Sequence, residues 1–144
     1  MKNILVTVNF TKNDQRLLDQ GHQLAKAFQA KVWIMHIAAP NPDFVGYEVG
    51  PQYIRNSRAS ELQQEHKQLQ TYADTLKAKD VATEGLLVQG ATVEMILEES
   101  KKLHIDMIIA GHQDHDFIYK AIMGSVSSQL IKQSQIPVLI VPLD

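Results

Sequence analysis

The chain has 144 residues, 44% hydrophobic and 21% charged, with a formal net charge of -2 at pH 7 and no cysteine. That length suits one domain with a sizeable core, and the composition is globular rather than that of a disordered chain. The charge supplies no cationic surplus to neutralise a row of phosphates, and the absence of cysteine removes disulfides, thiolate nucleophiles, zinc ribbons and iron–sulfur ligation together.

No apolar run approaches the roughly 18 residues that a membrane span needs. Met1 to Phe10 lacks the long apolar stretch and small-residue cleavage site of a signal peptide, so a single cytoplasmic domain over residues 1–144 is expected.

Ile4-Leu5-Val6-Thr7-Val8 is nearly continuous in apolar and β-branched residues, the pattern of a strand covered on both faces. Thr11 or Asn13 then caps a predicted helix in which Leu17, Leu18, Leu24, Ala25 and Phe28 recur at helical spacing and read as core. Val32 to Ile37 is a second buried strand, closed by Ala39-Pro40-Asn41-Pro42. From Asn41 to about Asn56 prolines, glycines and aromatics follow no period, and a loop is expected, either functional or plain surface.

A long helix is predicted from near Ser57 to Lys77, with Leu62, Leu69, Tyr72, Ala73 and Leu76 on one face. Thr83 to Val88 reads as the third strand. Gly90 leads into a helix carrying Val93, Ile96, Leu97 and Leu103, whose early Glu94 and late Lys101 and Lys102 match the helix dipole. Met107 to Ala110 is the fourth strand, ending at Gly111; a helix follows Gly124-Ser125 through Val126, Leu130 and Ile131; Pro137 precedes a last strand, Val138 to Val141. Strict β-α alternation implies right-handed crossovers and a doubly wound parallel sheet with helices on both faces. In such a Rossmann-like α/β fold, ligands bind beyond the carboxyl ends of the strands where strand order reverses.

The segment from Gly111 to Ser127 carries the chemistry. A strand ends in glycine, a loop follows, and Gly124-Ser125-Val126-Ser127 opens a helix whose first turn exposes unpaired N–H groups and a partial positive charge. Ser125 and Ser127 add hydroxyl donors, so this end is either an anion site or simply a helix cap. His112, Asp114, His115 and Asp116 also suit a divalent metal by ligand type, against the reading of a solvated polar loop. His36, inside an apolar strand, reads as a hydrogen-bonded core residue. There is no phosphate-loop, dinucleotide, nucleophile-elbow or H-E-x-x-H motif, and Ser125 with His112 or His115 has no third residue to orient a nucleophilic pair.

With these elements in order, the chain resembles the universal stress protein family, including its ATP-binding branch with the signature G-x2-G-x9-G-[ST]; the spacing from Gly111 through Asp114 to Gly124-Ser125 fits it. The resemblance implies a five-stranded parallel sheet of the adenine nucleotide alpha hydrolase-like kind. It also implies a homodimer joined through the Val138 to Val141 strand, and a cytoplasmic stress-response regulator rather than an enzyme, with weak ATP hydrolysis left open. The implied ligand is ATP or another adenine nucleotide, with Mg2+ as companion cation. Carried over by position, the adenine lies beside Val8, Asn9 and Ile37, with the Ile37 main chain on the base edge. Gly111, His112 and His115 line the loop, and Gly124, Ser125, Val126 and Ser127 hold phosphate. Asn9 stands where the branch commonly has aspartate, and Asp114 stands at the second glycine, where a carboxylate meets the like charge of a triphosphate. The alternative reading is a nucleotide-free dimeric interaction module of the same family, with no nucleic acid or membrane partner.

Overall fold

The computed structural model describes residues 1–38, 52–113 and 126–143, with the backbone alone for 52–58. Along them strands and helices alternate: β1 (Asn3–Thr7), α1 (Asp14–Phe28), β2 (Lys31–Ala38), α2 (Gln52–Lys77), β3 (Thr83–Gln89), α3 (Thr92–Lys102), β4 (Met107–His112), α4 (Val126–Gln133) and β5 (Val138–Pro142). The strands form one parallel sheet in the order β3-β2-β1-β4-β5. The chain winds outward from β1 to β3, then returns to lay β4 and β5 on the other side, so strand order reverses between β1 and β4. At such a point the connections leave toward opposite faces and a crevice opens beyond the carboxyl ends.

The core divides as doubly covered strands require. On one face Val6, Ile34 and Ile109 pack with Leu17 and Leu18 of α1 and with Leu69 and Leu76 of α2. On the other, Leu5, Met35 and Ile108 pack with Val93 and Ile96 of α3 and Leu130 of α4. Neighbouring residues of a strand thus serve opposite layers, and a one-residue slip in register would exchange them. Two glycines fit helices to the sheet. A Cβ at position 21 would stand 2.9 Å from Val6 Cγ2, so α1 lies close on β1. Gly90, at φ +147°, turns β3 into α3 in a conformation that L side chains rarely adopt.

Two expectations are corrected, and one open alternative is decided. Phe28 is 51% exposed: it keeps the helical spacing of Leu17 and Leu18 but is the last residue of α1, half in water although Ala25 in the same turn is buried. The long helix begins at Gln52, so residues 52–56 are helical rather than loop, while 41–51 lie outside the described residues. Nothing polar between Gln52 and Asn56 stops a helix, and Pro51 before it is a favourable start signal. At the start of α1, Asn13 makes no side-chain cap; Thr11 Oγ1 instead accepts the Asn13 N–H at 3.3 Å. Among the described residues no helix is long and apolar enough to cross a membrane.

Candidate functional site

A cleft of about 360 Å3 opens beyond the carboxyl ends of β1, β2 and β4, within the size range of small-molecule sites. Val8 and Asn9 reach it from the end of β1, Ile37 from β2, Gly111 and His112 from β4, and Val126 and Ser127 from the start of α4. The fold brings these sequence-predicted residues together. His115, Gly124 and Ser125 lie outside the described residues, as do Asp114 and Asp116.

The backbone of β2 shows how one wall is made. Val32 N–H bonds Ala82 O and Gly90 N–H bonds Ala38 O, so the even residues turn their backbone groups to β3; Met35 O accepts the Val8 N–H at 2.9 Å, so the odd ones turn to β1. By that period of two, Ile37 directs its N–H and C=O to the β1 side. The β1 register ends at Thr7 opposite Met35, so these groups face the cleft where a neighbouring strand would otherwise run.

A second wall is the turn between β1 and α1. Asp14 is only 2% exposed, and its carboxylate accepts the N–H of Asn9 and of Thr11, both at 3.2 Å, and the Tyr72 hydroxyl at 2.9 Å. Three donors satisfy a carboxylate that burial would otherwise penalise heavily. Between the two tethered amides Phe10 sits at φ 61°, left-handed backbone that costs a non-glycine residue about 1–2 kcal/mol. Its ring packs on His36 at 4.3 Å between centroids and on Tyr72 at 6.1 Å. His36 Nδ1 lies 2.9 Å from Val8 O, and since a carbonyl only accepts, the ring proton is on Nδ1. His36 is therefore the hydrogen-bonded strand residue expected, holding the chain as it leaves β1.

Burial first, then the hydrogen bond to the Asp14 carboxylate and its charge, push the Tyr72 phenol up to about 12 from 10.0. The folded state thus resists an ionisation that the unfolded chain undergoes. The resulting stability is fully present below pH 10 and is lost as pH rises through about 12. In an absorbance titration of the 4 tyrosines, one should ionise late, and Tyr72→Phe should remove that late step.

At the opposite end of the cleft, Ser127 is buried in the first turn of α4, and its Oγ lies 3.2 Å from His112 Nδ1 at the end of β4. A Cβ on Gly111 would meet the Leu143 side chain, so glycine leaves room for that side chain beside β4. Among the described residues lining the cleft there is no lysine or arginine. The donor groups at this end are main-chain N–H groups at the start of α4, the Ser127 hydroxyl and the His112 ring.

The family model of the universal stress protein family matches residues 1–142. The chain belongs to the universal stress protein family. Universal stress protein C of Salmonella typhimurium is 28% identical over 142 residues, covering 97% of this chain and 94% of that protein. A universal stress protein solved in complex with cAMP has a TM-score of 0.72 at 22% identity, covering 99% of this chain and 98% of its own. A universal stress protein family protein of Arabidopsis thaliana, solved with AMP bound, has a TM-score of 0.68 at 16% identity over 99% of this chain and 92% of its own. At these identities the two structures establish a shared fold.

In this universal stress protein the cleft also contains residues that sequence reading did not single out: Asp14, Met35, Thr92 and Leu143. Asp14 had a legible signal. Thr11-x-x-Asp14 before an apolar helix is a capping-box pattern, in which the later acid reaches back to the N–H of the earlier residue, and the Thr11 N–H to Asp14 bond is that contact. Thr92 and Leu143 had none, because they enter the cleft through the packing of α3 and of the chain after β5. Among the described residues no group of three or more acidic or histidine side chains is placed to hold a metal ion.

Proposed function

We propose that this universal stress protein is a cytoplasmic stress-response regulator that binds ATP or a related adenine nucleotide in the β1/β4 cleft, without a dedicated catalytic role. In this reading the 144 residues act as a single domain. The observation that carries it is the meeting, at one switch point, of Ile37 main-chain groups beyond the end of the β1 register with the Val126-Ser127 start of α4. The first offer a donor and an acceptor to a base edge; the second offers N–H and hydroxyl donors to phosphate. Universal stress proteins of the same fold solved with cAMP and with AMP support an adenine ligand. With no lysine or arginine among the described residues lining the cleft, Mg2+ is the companion that would offset the charge of a triphosphate. His115, Gly124 and Ser125 complete the proposed phosphate end.

The test is calorimetric titration with adenosine, AMP, ADP, ATP and cyclic AMP, with and without magnesium. An adenine nucleotide should bind and raise the melting temperature; if none does either, the nucleotide-free interaction module is the better reading. Ser125→Ala with Ser127→Ala should weaken AMP and ATP by about 1 to 3 kcal/mol, the size of charge-assisted hydrogen bonds lost to phosphate, and leave adenosine almost unchanged. An equal loss for adenosine would place the serines away from phosphate.

The same reading includes a homodimer. β5 is an edge strand whose Val138, Leu139 and Ile140 are only half-buried, an apolar edge that self-pairing would cover.

A further inference from the structure

The turn that carries Asn9 into the cleft is not a conformation its own residues favour. Phe10 is held at positive φ with no glycine to make that easy, and the two amides flanking it both donate to one buried carboxylate five residues or fewer along the chain. The carboxylate is itself held by a hydroxyl 58 residues away in sequence, on α2. The aromatic contacts run the same way, from Tyr72 to Phe10 and from Phe10 to His36, whose Nδ1–H fixes the Val8 carbonyl. Asp14 lines the cleft, and each of its oxygens already accepts at least one of these hydrogen bonds.

We propose that Asp14 and Tyr72 are a pair of positioning residues for the base-and-ribose end of the nucleotide cleft: the carboxylate sets the turn from Val8 to Thr11, and the phenol reaching from α2 sets the carboxylate. The inference rests on the nucleotide reading above and deepens it, because it makes the shape of the adenosine subsite depend on the seating of α2. A site held within a fraction of an ångström by a second layer of hydrogen bonds loses affinity when that layer is removed, even though no ligand contact is deleted.

Two variants test it, titrated with adenosine, AMP and ATP well below their melting transitions. Tyr72→Phe deletes one hydroxyl and keeps the ring against Phe10. Asp14→Asn keeps the shape but replaces one acceptor oxygen with a donor that cannot serve an N–H group. Tyr72→Phe should weaken all three ligands by the same factor, about threefold to tenfold, the scale of one hydrogen bond. Asp14→Asn should weaken them by about tenfold or more, again equally, because the turn lies away from phosphate. The amide protons of Asn9 and Thr11, shifted downfield by donation to a carboxylate, should move upfield in Asp14→Asn.

A contact that only stabilised the fold would lower the melting temperature and leave the affinity of the folded protein unchanged, so wild-type adenosine affinity in both folded variants overturns the proposal. Losses that grow from adenosine to ATP also overturn it, placing the effect at the phosphates. If Asp14→Asn does not fold, Tyr72→Phe carries the decision alone. Wild-type protein that binds none of the three ligands overturns the nucleotide reading and this inference with it, a failure visible before any variant is made.

Discussion

Ile109→Ala should lower the free energy of unfolding by about 2 to 5 kcal/mol, while Phe28→Ala should change it by less than about 0.5 kcal/mol. Ile109 is fully buried in β4, paired in register with Val6 on one side and Leu139 on the other, where the sheet changes winding direction. Truncation there removes contacts that neither neighbouring strand can relax to restore, so both the transfer term and the cavity term apply. Phe28 is the larger side chain and belongs to the apolar stripe of α1, yet half of it is in water. Urea unfolding of both variants decides the matter: the midpoint should fall sharply for Ile109→Ala with an unchanged slope, and hardly move for Phe28→Ala. A large loss at Phe28 would mean that the end of α1 is covered by something beyond the described residues.

Ile140→Pro should convert the proposed homodimer into a folded monomer. The backbone explains the choice of position. Pro137 O accepts the Ile108 N–H and Leu143 N–H donates to His112 O, so the odd residues of β5 turn their backbone groups to β4. By the period of two, Val138 and Ile140 turn theirs to the open edge, the side on which a second β5 would pair. Proline at 140 removes one outward N–H and spares the ladder to β4, which is the one setting in which a strand tolerates proline. Lysines at 139 and 141 would be a poorer test, since Val141 is buried and Leu139 packs against the α1 and α2 face. Light scattering should show dimer for the wild type and monomer for Ile140→Pro, with cooperative unfolding kept. Val141→Pro, which breaks the ladder itself, should instead unfold the chain. An unchanged dimer in Ile140→Pro would place the seam elsewhere, and a monomeric wild type would end the idea.

The sequence by itself determined the strands, the helices and their alternation, because those follow from local periodicity. Ile4 to Val6 and Met107 to Ala110 are apolar at every position, and only a doubly covered parallel strand tolerates that. The Val126-Ser127 start of α4 was legible for the same reason, since a helix start is written in a few adjacent residues; Gly111, expected to end the fourth strand, is instead paired within β4, which runs on to His112. What depends on distance along the chain was decided only by the tertiary structure. Phe28 has the spacing of a core residue, but spacing does not say what packs over the last residue of α1, and the side chain is half exposed. Tyr72 reads as one more apolar position on α2; only the packing of that helix on β2 and β3 brings its hydroxyl to Asp14, 58 residues away. Periodicity says which face of an element is apolar and is silent about what lies opposite, so the Ile37 backbone groups were expected in the cleft only through the family resemblance, and the side chains that hold its turn in shape were not expected at all.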